Sequence, residues 1–427
     1  MVSKFSRRPH LSSALYSAAG LLGSCLALPA FYASRRGRRR IWERYGNWGT
    51  LTGSVFWFHG ASAGEVQGLI PLIKAVRQSN RAAKILVSVT SPSGLERAAP
   101  FADFVRLLPF DHPLWIRRAL KNIECKAFIF GETELWPALL AELDRRNVPL
   151  FLVNGRLSEF SLKHYRLMGA WLRRTLSRLS LVCAANRKYQ ARFIDFGVDP
   201  ARVLVTGNAK YDSAPSITSS QALLEQKRLF FNDDLPVLTL GSLRPGEEVI
   251  WFAALAAARK RGLCFNTVVA PRHLEKCDYF ISRLNSCGLP HRHASAAPGH
   301  EAIVLLDSFG ALETVYSFSD LAFIGGSLVP GFGGHNPLEA AAYGVCLALG
   351  PYCENIDDIK EQLQDKEAFT PIATQQDAEA LLEKMSRRDP SLRTQGSRAR
   401  EVWQENFGAG DRIMQAISKV LESKRDS

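Results

Sequence analysis

Short apolar runs alternate with amphipathic helical patterns along most of this 427-residue chain, and this alternation restricts the fold more than any other feature. A strand followed by a helix at this spacing forms a crossover unit, so a series of such units predicts a parallel sheet with helices on both faces. The first series predicts strands at residues 54–58, 84–90, 127–130, 148–153, 179–184 and 202–205. Its helices are predicted at residues 65–78, 113–122, 135–146 and 159–177.

A polar break near residues 212–221 separates this series from a second one. The sequence therefore predicts an α/β protein with two doubly wound, Rossmann-like domains at 46–211 and 236–400, joined by a linker at 212–235. We expect the two domains to face each other across a cleft at the carboxyl ends of their strands. The second series predicts strands at 237–241, 266–270, 302–306, 321–324 and 345–349, and helices at 247–261, 275–285, 311–317 and 337–343.

Residues 401–427 are predicted as a C-terminal helical segment with a break at 408–410. We expect this segment to pack back on the first domain.

Basic residues exceed acidic residues by 13, a balance that at first suggests a nucleic-acid partner. The excess is local, because residues 1–44 carry a net charge of +8 and leave only +5 for the rest of the chain. We therefore predict no nucleic-acid partner.

Residues 11–33 contain no charged side chain, and as a helix they would be about 35 Å long, enough to cross a hydrocarbon core of about 30 Å. Five arginines follow within residues 35–40 and favour a cytoplasmic location for the downstream chain. The sequence thus predicts a membrane anchor with a basic collar at 1–45. A helix lying in the interface of the bilayer remains an alternative to a spanning one.

The sequence contains none of the common cofactor or metal motifs. The eight cysteines form no C-x-x-C pair, and D-x-D, G-x-G-x-x-G and P-loop motifs are absent from the chain. We therefore predict reduced thiols, no metal and no cofactor.

Polar motifs follow the predicted strands of the first domain. The run HGASAGE at 59–65 places Glu65 at a helix start, where it is either a first-turn acid that complements the helix dipole or a general base. GETELWP at 131–137 adds Glu132 and Glu134, which are either one acid in the cleft and one capping residue, or two solvated acids at the helix start. Arg156 and Lys210 follow two further strands and are interpreted as anion contacts.

Motifs of the same kind follow the strands of the second domain: GSLRPGEE at 241–248, PRH at 271–273, DSFGAL at 307–312, and GGS at 325–327 with GGHNPLE at 333–339. Glycines before a helix start can offer N–H groups to a phosphate, and Glu339 in the first turn can accept ribose hydroxyls. The possible anion contacts in this half are Ser242, Arg244, His273, Gly325 and Gly326.

Together, and in this order, these motifs resemble the 3-deoxy-D-manno-octulosonic acid (Kdo) transferase family of lipopolysaccharide biosynthesis. The resemblance runs from the N-terminus to about residue 350. It implies a GT-B fold, CMP-Kdo as the donor, a lipid A precursor as the acceptor, and metal-independent inversion at the Kdo anomeric carbon. It also implies a location at the bacterial inner membrane, with both domains facing the cytoplasm. The alternative is another GT-B glycosyltransferase that uses a UDP-sugar.

The resemblance also implies roles for individual residues. Glu65 resembles the proton acceptor of the family, and Glu132 and Lys210 resemble the residues that stabilise the transition state. The CMP-contacting segments are matched by Pro271, Arg272, Phe309, Gly310, Ala311, Asn336, Pro337, Leu338 and Glu339. This chain departs from the family pattern at four places. GSLR at 241–244 stands where the family has a Ser-Thr-His run. Leu274 stands in place of a proline, Ala311 in place of a glutamate, and Ala138 in place of an asparagine.

Overall fold

The computed structural model describes residues 16, 20–22, 26, 40–132, 134–157, 173–212, 219–296, 299, 301–308 and 310–423. The chain divides into two compact units: unit 1 comprises Met1–Asp212 and Gly408–Ser427, and unit 2 comprises Ser213–Phe407. Phe309, most of the predicted anchor at 11–33 and most of the predicted helix at 159–177 lie outside the described residues. Across the part of the chain that is described, no helix combines the length and the apolar character needed to cross a membrane.

Unit 1 is built on a parallel sheet that has seven strands over the described residues, in the order β3-β2-β1-β4-β5-β6-β7. The strands are β1 (Ser54–His59), β2 (Lys84–Val89), β3 (Phe104–Leu107), β4 (Glu124–Gly131), β5 (Leu150–Gly155), β6 (Leu181–Ala184) and β7 (Val203–Val205). The structure confirms the six predicted strands and adds β3. That edge strand is four residues long and half-buried, so it lacks the continuous apolar run of a central strand.

The helices of this part of unit 1 are α1 (Ile41–Arg44), α2 (Ala63–Ser79), α3 (Pro92–Ala98), α4 (Pro113–Ala119), α5 (Pro137–Arg145) and α6 (Arg187–Asp195). Helix α2 begins after Ser62, whose hydroxyl accepts the backbone N–H of Glu65. The central strands are buried on both faces. Trp57 of β1 and Phe128 of β4 pack edge to face with ring centroids 4.8 Å apart.

Unit 2 has a second parallel sheet, with seven strands over the described residues in the order β10-β11-β9-β8-β12-β13-β14. The strands are β8 (Val237–Leu243), β9 (Asn266–Pro271), β10 (Arg292–His293), β11 (Ile303–Leu305), β12 (Leu321–Ile324), β13 (Cys346–Leu349) and β14 (Phe369–Pro371). The five predicted strands are confirmed. The two that the sequence pattern missed, β10 and β14, have two and three residues and lie at the edges.

The helices of unit 2 are α7 (Ser220–Arg228), α8 (Glu248–Lys260), α9 (Cys277–Ser286), α10 (Ala311–Ser317), α11 (Leu338–Ala341), α12 (Asp357–Asp365), α13 (Gln375–Ser386) and α14 (Pro390–Asn406). Helix α7 lies inside the predicted linker at 212–235, and α14 runs through the predicted boundary at residue 400. The helical pattern breaks at Phe407 and Gly408, next to the predicted break at 408–410.

Helix α15 (Ala409–Ser423) follows this break and belongs to unit 1, as expected. Its side chains Ile413 and Ile417 are fully buried in the core beneath β1 and α2. Asp212 holds the start of the helix, because its carboxylate accepts the N–H groups of Gly408 at 2.6 Å and Gly410 at 2.8 Å.

Each sheet has a switch point between two central strands, β1 and β4 in unit 1 and β8 and β12 in unit 2. The connections of two neighbouring strands leave to opposite sides there, so a crevice opens at their carboxyl ends, where ligands of open α/β sheets bind. The motifs HGASAGE and GETELWP follow β1 and β4, and the motifs GSLRPGEE and GGSLV follow β8 and β12. These four predicted site motifs therefore lie at the two switch points, two motifs in each unit.

Candidate active site and nucleotide pocket

His59 ends β1 and is fully buried. Its Nε2 atom accepts the indole N–H of Trp136 at 3.1 Å, so the ring proton is assigned to Nδ1, which donates to the carbonyl oxygen of Ser88 at 2.9 Å. Burial lowers the pKa of His59 to about 4, although the bond to Ser88 opposes this. His59 is therefore a neutral side chain that fixes Trp136, a role the sequence analysis did not assign.

Glu65 forms the helix cap that its position allows. One carboxylate oxygen accepts the N–H of Ala61 at 2.8 Å, and the other accepts the hydroxyl of Ser62 at 3.0 Å. Burial raises the pKa of Glu65, and the charge of Glu132 adds to this while the bond from Ala61 opposes it. Each oxygen uses one lone pair in these bonds and keeps another for a substrate hydroxyl, so capping and proton acceptance are compatible.

Glu132 and Glu134 follow β4 and approach Glu65 from the neighbouring strand. Glu132 has a left-handed backbone with φ 55°, and its N–H donates to the carbonyl oxygen of Val153 at 2.9 Å. Burial raises the pKa of Glu134 to about 7, and the charges of Glu65 and Glu132 add to the effect, while Trp136 lowers it. Three carboxylates thus converge at this crevice. The repeated acid in E-T-E was the signal for Glu134, which was not among the predicted catalytic residues.

Lys210 lies beside helix α2, and Asn154 joins the two by hydrogen bonds to Ala209 and Gly68. Asn154 accepts the N–H of Ala209 at 2.9 Å and donates to the carbonyl oxygen of Gly68 at 3.4 Å. A Cβ atom at Gly68 would lie 3.4 Å from Cβ of Lys210. Lys210 therefore lies beside α2, about one turn beyond Glu65. Arg156, the other cation predicted in this half, directly follows β5 and is half-buried.

Unit 2 contains a cavity of about 330 Å³ at the carboxyl ends of β8 and β9. Five predicted site residues line it: Ser242, Pro271, Arg272, Gly310 and Glu339. Ser308, Glu313 and Tyr343 also line it and were not predicted. The volume is at the lower end of the range of roughly 300–1,000 Å³ that small-molecule sites occupy.

Among the described residues, Glu339 is one of the two acids that line this cavity, the other being Glu313. The side chain of Asn336 donates to its carboxylate at 3.2 Å and accepts the N–H of Leu338 at 3.0 Å, so Asn336 orients Glu339 from outside the cavity lining. Burial raises the pKa of Glu339, whereas Asn336 and Arg272 lower it. Pro337 and Leu338 are buried where α11 begins, and Ala311 begins α10 beside the cavity without lining it.

Gly325 and Gly326 follow β12 and allow its backbone to pack closely against the end of β8. Their N–H groups donate to the carbonyl oxygen of Gly241 at 2.8 Å and to the carboxylate of Glu247 at 2.9 Å. A Cβ atom at Gly325 would lie 2.3 Å from the carbonyl oxygen of Ser242, so only glycine fits this approach. Because both N–H groups already have acceptors inside the protein, the geometry does not favour the predicted anion contacts through them.

Arg244 and His273, the remaining predicted anion contacts, lie together at the edge of the cavity. Nη1 of Arg244 is 2.9 Å from Nε2 of His273, and His273 directly follows the cavity residue Arg272. In the described ranges, no three or more His, Cys, Asp or Glu side chains are arranged to hold a metal ion.

Known proteins share this fold. A crystal structure of UDP-GlcNAc 2-epimerase from Neisseria meningitidis, bound to UDP-GlcNAc, superposes with a TM-score of 0.60 and 14% identity, covering 86% of this chain and 100% of that one. This likeness and the two parallel sheets confirm the predicted doubly wound α/β fold of the GT-B class.

Residues 39–213 match the family described as 3-deoxy-D-manno-octulosonic-acid transferase (kdotransferase). The 3-deoxy-D-manno-octulosonic acid transferase of Chlamydophila psittaci is 31% identical over 320 residues, which cover 73% of each chain. The enzyme of the same name from Haemophilus influenzae is 31% identical over 402 residues, which cover 91% of this chain and 93% of that relative. With this identity over most of both sequences, the chain belongs to the 3-deoxy-D-manno-octulosonic acid (Kdo) transferase family of glycosyltransferases.

Proposed function

We propose that this protein transfers Kdo from CMP-Kdo to a hydroxyl group of a lipid A precursor, with inversion at the anomeric carbon and with Glu65 as the general base. The observation that carries the proposal is the position of the Glu65 carboxylate at the switch point of the unit 1 sheet, in a chain that belongs to the Kdo transferase family. Family membership supports the sugar that is transferred, and the carboxylate supports the chemistry.

In the proposed reaction, Glu65 takes the proton of the acceptor hydroxyl as its oxygen attacks the anomeric carbon of Kdo. The bond between that carbon and the phosphate oxygen breaks, and CMP leaves with the electron pair. A carboxylate whose pKa is raised by burial is a stronger base than an ordinary one, which favours the proton transfer near neutral pH.

The two other residues assigned by resemblance have matching electrostatic roles. The anomeric carbon becomes positively charged as the bond to phosphate lengthens, and the carboxylate of Glu132 opposes that charge. The ammonium group of Lys210 opposes the negative charge that develops on the oxygens of the reaction. Glu132 lies close enough to Glu65 to raise its pKa, and Lys210 lies beside helix α2, which carries Glu65.

The unit 2 cavity is the proposed site of the cytidine nucleotide. The carboxylate of Glu339 can accept the two ribose hydroxyls, and the guanidinium of Arg272 can oppose the charge of the phosphate. Helix α10 begins beside the same cavity and offers further N–H groups.

We place the protein at the cytoplasmic face of the bacterial inner membrane, where a lipid acceptor would be available. The apolar run at 11–33 and the arginines after it support this location. Trp42 of α1 and Leu114 of α4 are 55% and 53% exposed, and basic residues including Arg118 lie on the same short helix as Leu114. Exposed aromatic and apolar side chains beside cations are typical of surfaces that contact a bilayer interface.

The test incubates the full-length protein with CMP-Kdo and a tetraacyl lipid A precursor and measures the mass of the lipid. Wild type should add one or more Kdo masses, and Glu65→Gln should lower kcat by roughly 10²- to 10⁴-fold while CMP still binds. Glutamine keeps the cap through its carbonyl oxygen, so this loss would reflect the base. Glu124→Gln, an exposed acid on β4, is the matched control and should act like wild type. Failure of wild type to add Kdo, or turnover of a UDP-sugar instead, would contradict the proposal.

A further inference from the structure

Arg244 lies at the centre of a cluster of basic and aromatic side chains beside the unit 2 cavity. Its Nη1 atom is 2.9 Å from Nε2 of His273, and its Nε atom is 3.3 Å from Nε2 of His335. Its guanidinium carbon is 4.6 Å from the ring centroid of Phe332. These three neighbours fix the plane of the guanidinium, so its outer edge points in one direction.

The hydrogen bonds of the cluster determine where its charge lies. Arginine remains protonated and can only donate, so the Nε2 atoms of His273 and His335 are acceptors. Each imidazole therefore carries its proton on Nδ1 and is neutral. Arg244 is the charged member of the cluster.

The outer edge of the Arg244 guanidinium is open. The two histidines use its Nε hydrogen and one hydrogen of Nη1, and within the described residues no acceptor faces the second hydrogen of Nη1 or those of Nη2. The carboxylate of Glu247 is occupied by four backbone N–H groups, including that of Arg244 itself. An open guanidinium edge with two parallel N–H groups matches the geometry of a carboxylate.

Arg272 supplies a second positive charge next to Arg244. Burial lowers the pKa of Arg244, and the charge of Arg272 lowers it further. Two cations held close together repel each other, and this repulsion is relieved when two anionic groups bind beside them. Arg272 lines the cavity proposed for the nucleotide. Arg244 lies two residues after Ser242, just past the end of β8, and is outside the lining.

CMP-Kdo carries two anionic groups close to each other. Its phosphate is attached to the anomeric carbon, and the same carbon bears the carboxylate, because Kdo is a 2-ketosugar acid. We propose that Arg244 binds the donor carboxylate while Arg272 faces the phosphate, so that Arg244 selects donors with a carboxylate on the anomeric carbon. This inference rests on the proposed donor, CMP-Kdo. A sugar without that group would leave the desolvated edge of Arg244 unpaired.

The test compares CMP-Kdo with CMP, which has the phosphate and lacks the carboxylate. In the full-length protein, Arg244→Lys should raise KM for CMP-Kdo by about 10- to 100-fold, because an ammonium cannot form two parallel hydrogen bonds to one carboxylate. The inhibition constant of CMP should change by less than about twofold, since the contact to phosphate is kept. Phe332→Leu keeps the charge and removes the aromatic platform, so its KM should rise by about 3- to 10-fold.

Arg259→Lys is the matched control, because Arg259 is exposed on α8 away from the cavity and should leave both constants unchanged. An unchanged KM in Arg244→Lys would overturn the assignment, and so would equal rises in KM and in the inhibition constant, which would place the phosphate at Arg244. If thermal melting shows that Arg244→Lys is not folded, the same two constants are measured with Arg244→Gln. Wild type that binds CMP without consuming CMP-Kdo would overturn the proposed function as well, whereas wild-type turnover with unaffected variants would overturn only the role of Arg244.

Discussion

The carboxylate of Glu247 accepts the backbone N–H of Gly326 at 2.9 Å and so joins the loop after β8 to the loop after β12. The same carboxylate accepts the N–H groups of Ser327, Leu328 and Arg244 at 2.8–3.0 Å. Glu247 is fully buried, so these four hydrogen bonds replace the water that the carboxylate loses on folding. One side chain thereby holds together the two loops that meet at the unit 2 switch point.

Replacing this carboxylate should destabilise unit 2 more than an ordinary Glu→Gln change. In Glu247→Gln the NH₂ group faces backbone N–H groups and cannot accept from them, so at least two buried donors lose a partner. We expect a loss of about 2–4 kcal/mol in the free energy of unfolding and a Tm lower by roughly 5–15 °C. Calorimetry of the variant beside the exposed control Glu354→Gln checks this, and equal Tm values for the two would show that Glu247 does not hold the loops.

The pH dependence of stability should report the buried acid Glu134. Its pKa is raised to about 7 in the folded protein, against an ordinary value near 4.5, so the folded state holds the proton more tightly. Wild type should therefore lose stability as the pH rises from about 4.5 to 7, by up to about 3 kcal/mol from this group. Glu134→Gln should remove this slope. Urea unfolding at pH 5 and pH 8 measures it, with Glu124→Gln as the exposed control on β4. Parallel pH curves for wild type and Glu134→Gln would contradict the assignment.

His59 should make the free energy of unfolding change with pH in the direction opposite to that of Glu134. Its pKa is lowered to about 4 in the folded protein and is near 6.5 when unfolded, so the unfolded chain binds a proton that the folded chain does not. Stability from this group is complete above pH 6.5 and is lost as the pH falls towards 4, by up to about 3 kcal/mol. His59→Gln should be less stable at pH 7.5, because the bond from Trp136 is weakened, yet should lose less on acidification. Unfolding of wild type and His59→Gln at pH 7.5 and pH 5 tests this. A His59→Gln slope as steep as that of wild type would assign the acid sensitivity to other groups.

The central strands and the site motifs could be predicted because each depends on local sequence. Buried strands of parallel sheets, such as β1 and β8, are continuous apolar runs followed by small polar residues. The edge strands β3, β10 and β14 are short or half-exposed, so tertiary pairing and not local pattern forms them.

The partners of the buried polar groups could not be predicted. Glu247 lies in a recognisable motif, yet three of the four N–H groups that it binds are about 80 residues away along the chain. His59 could have faced a substrate, and only the packing of β2 and Trp136 around it shows that both ring nitrogens are used. Strand order determines these neighbours, and strand order is not a local property of the sequence.

Helix α15 offers a direct test of how strongly the end of the chain is bound to unit 1. Ile413 is fully buried among residues of α2 and the unit 1 sheet, so Ile413→Ala removes three methyl or methylene groups and leaves a cavity. We expect a loss of about 2–5 kcal/mol in the free energy of unfolding. Gln415→Ala, on the exposed face of the same helix, should change stability by less than about 0.5 kcal/mol. If both variants unfold at the same urea concentration as wild type, α15 is not part of the cooperative core of unit 1. A selective loss in Ile413→Ala would show that it is, because the two changes alter the same helix and differ only in what the side chain contacts.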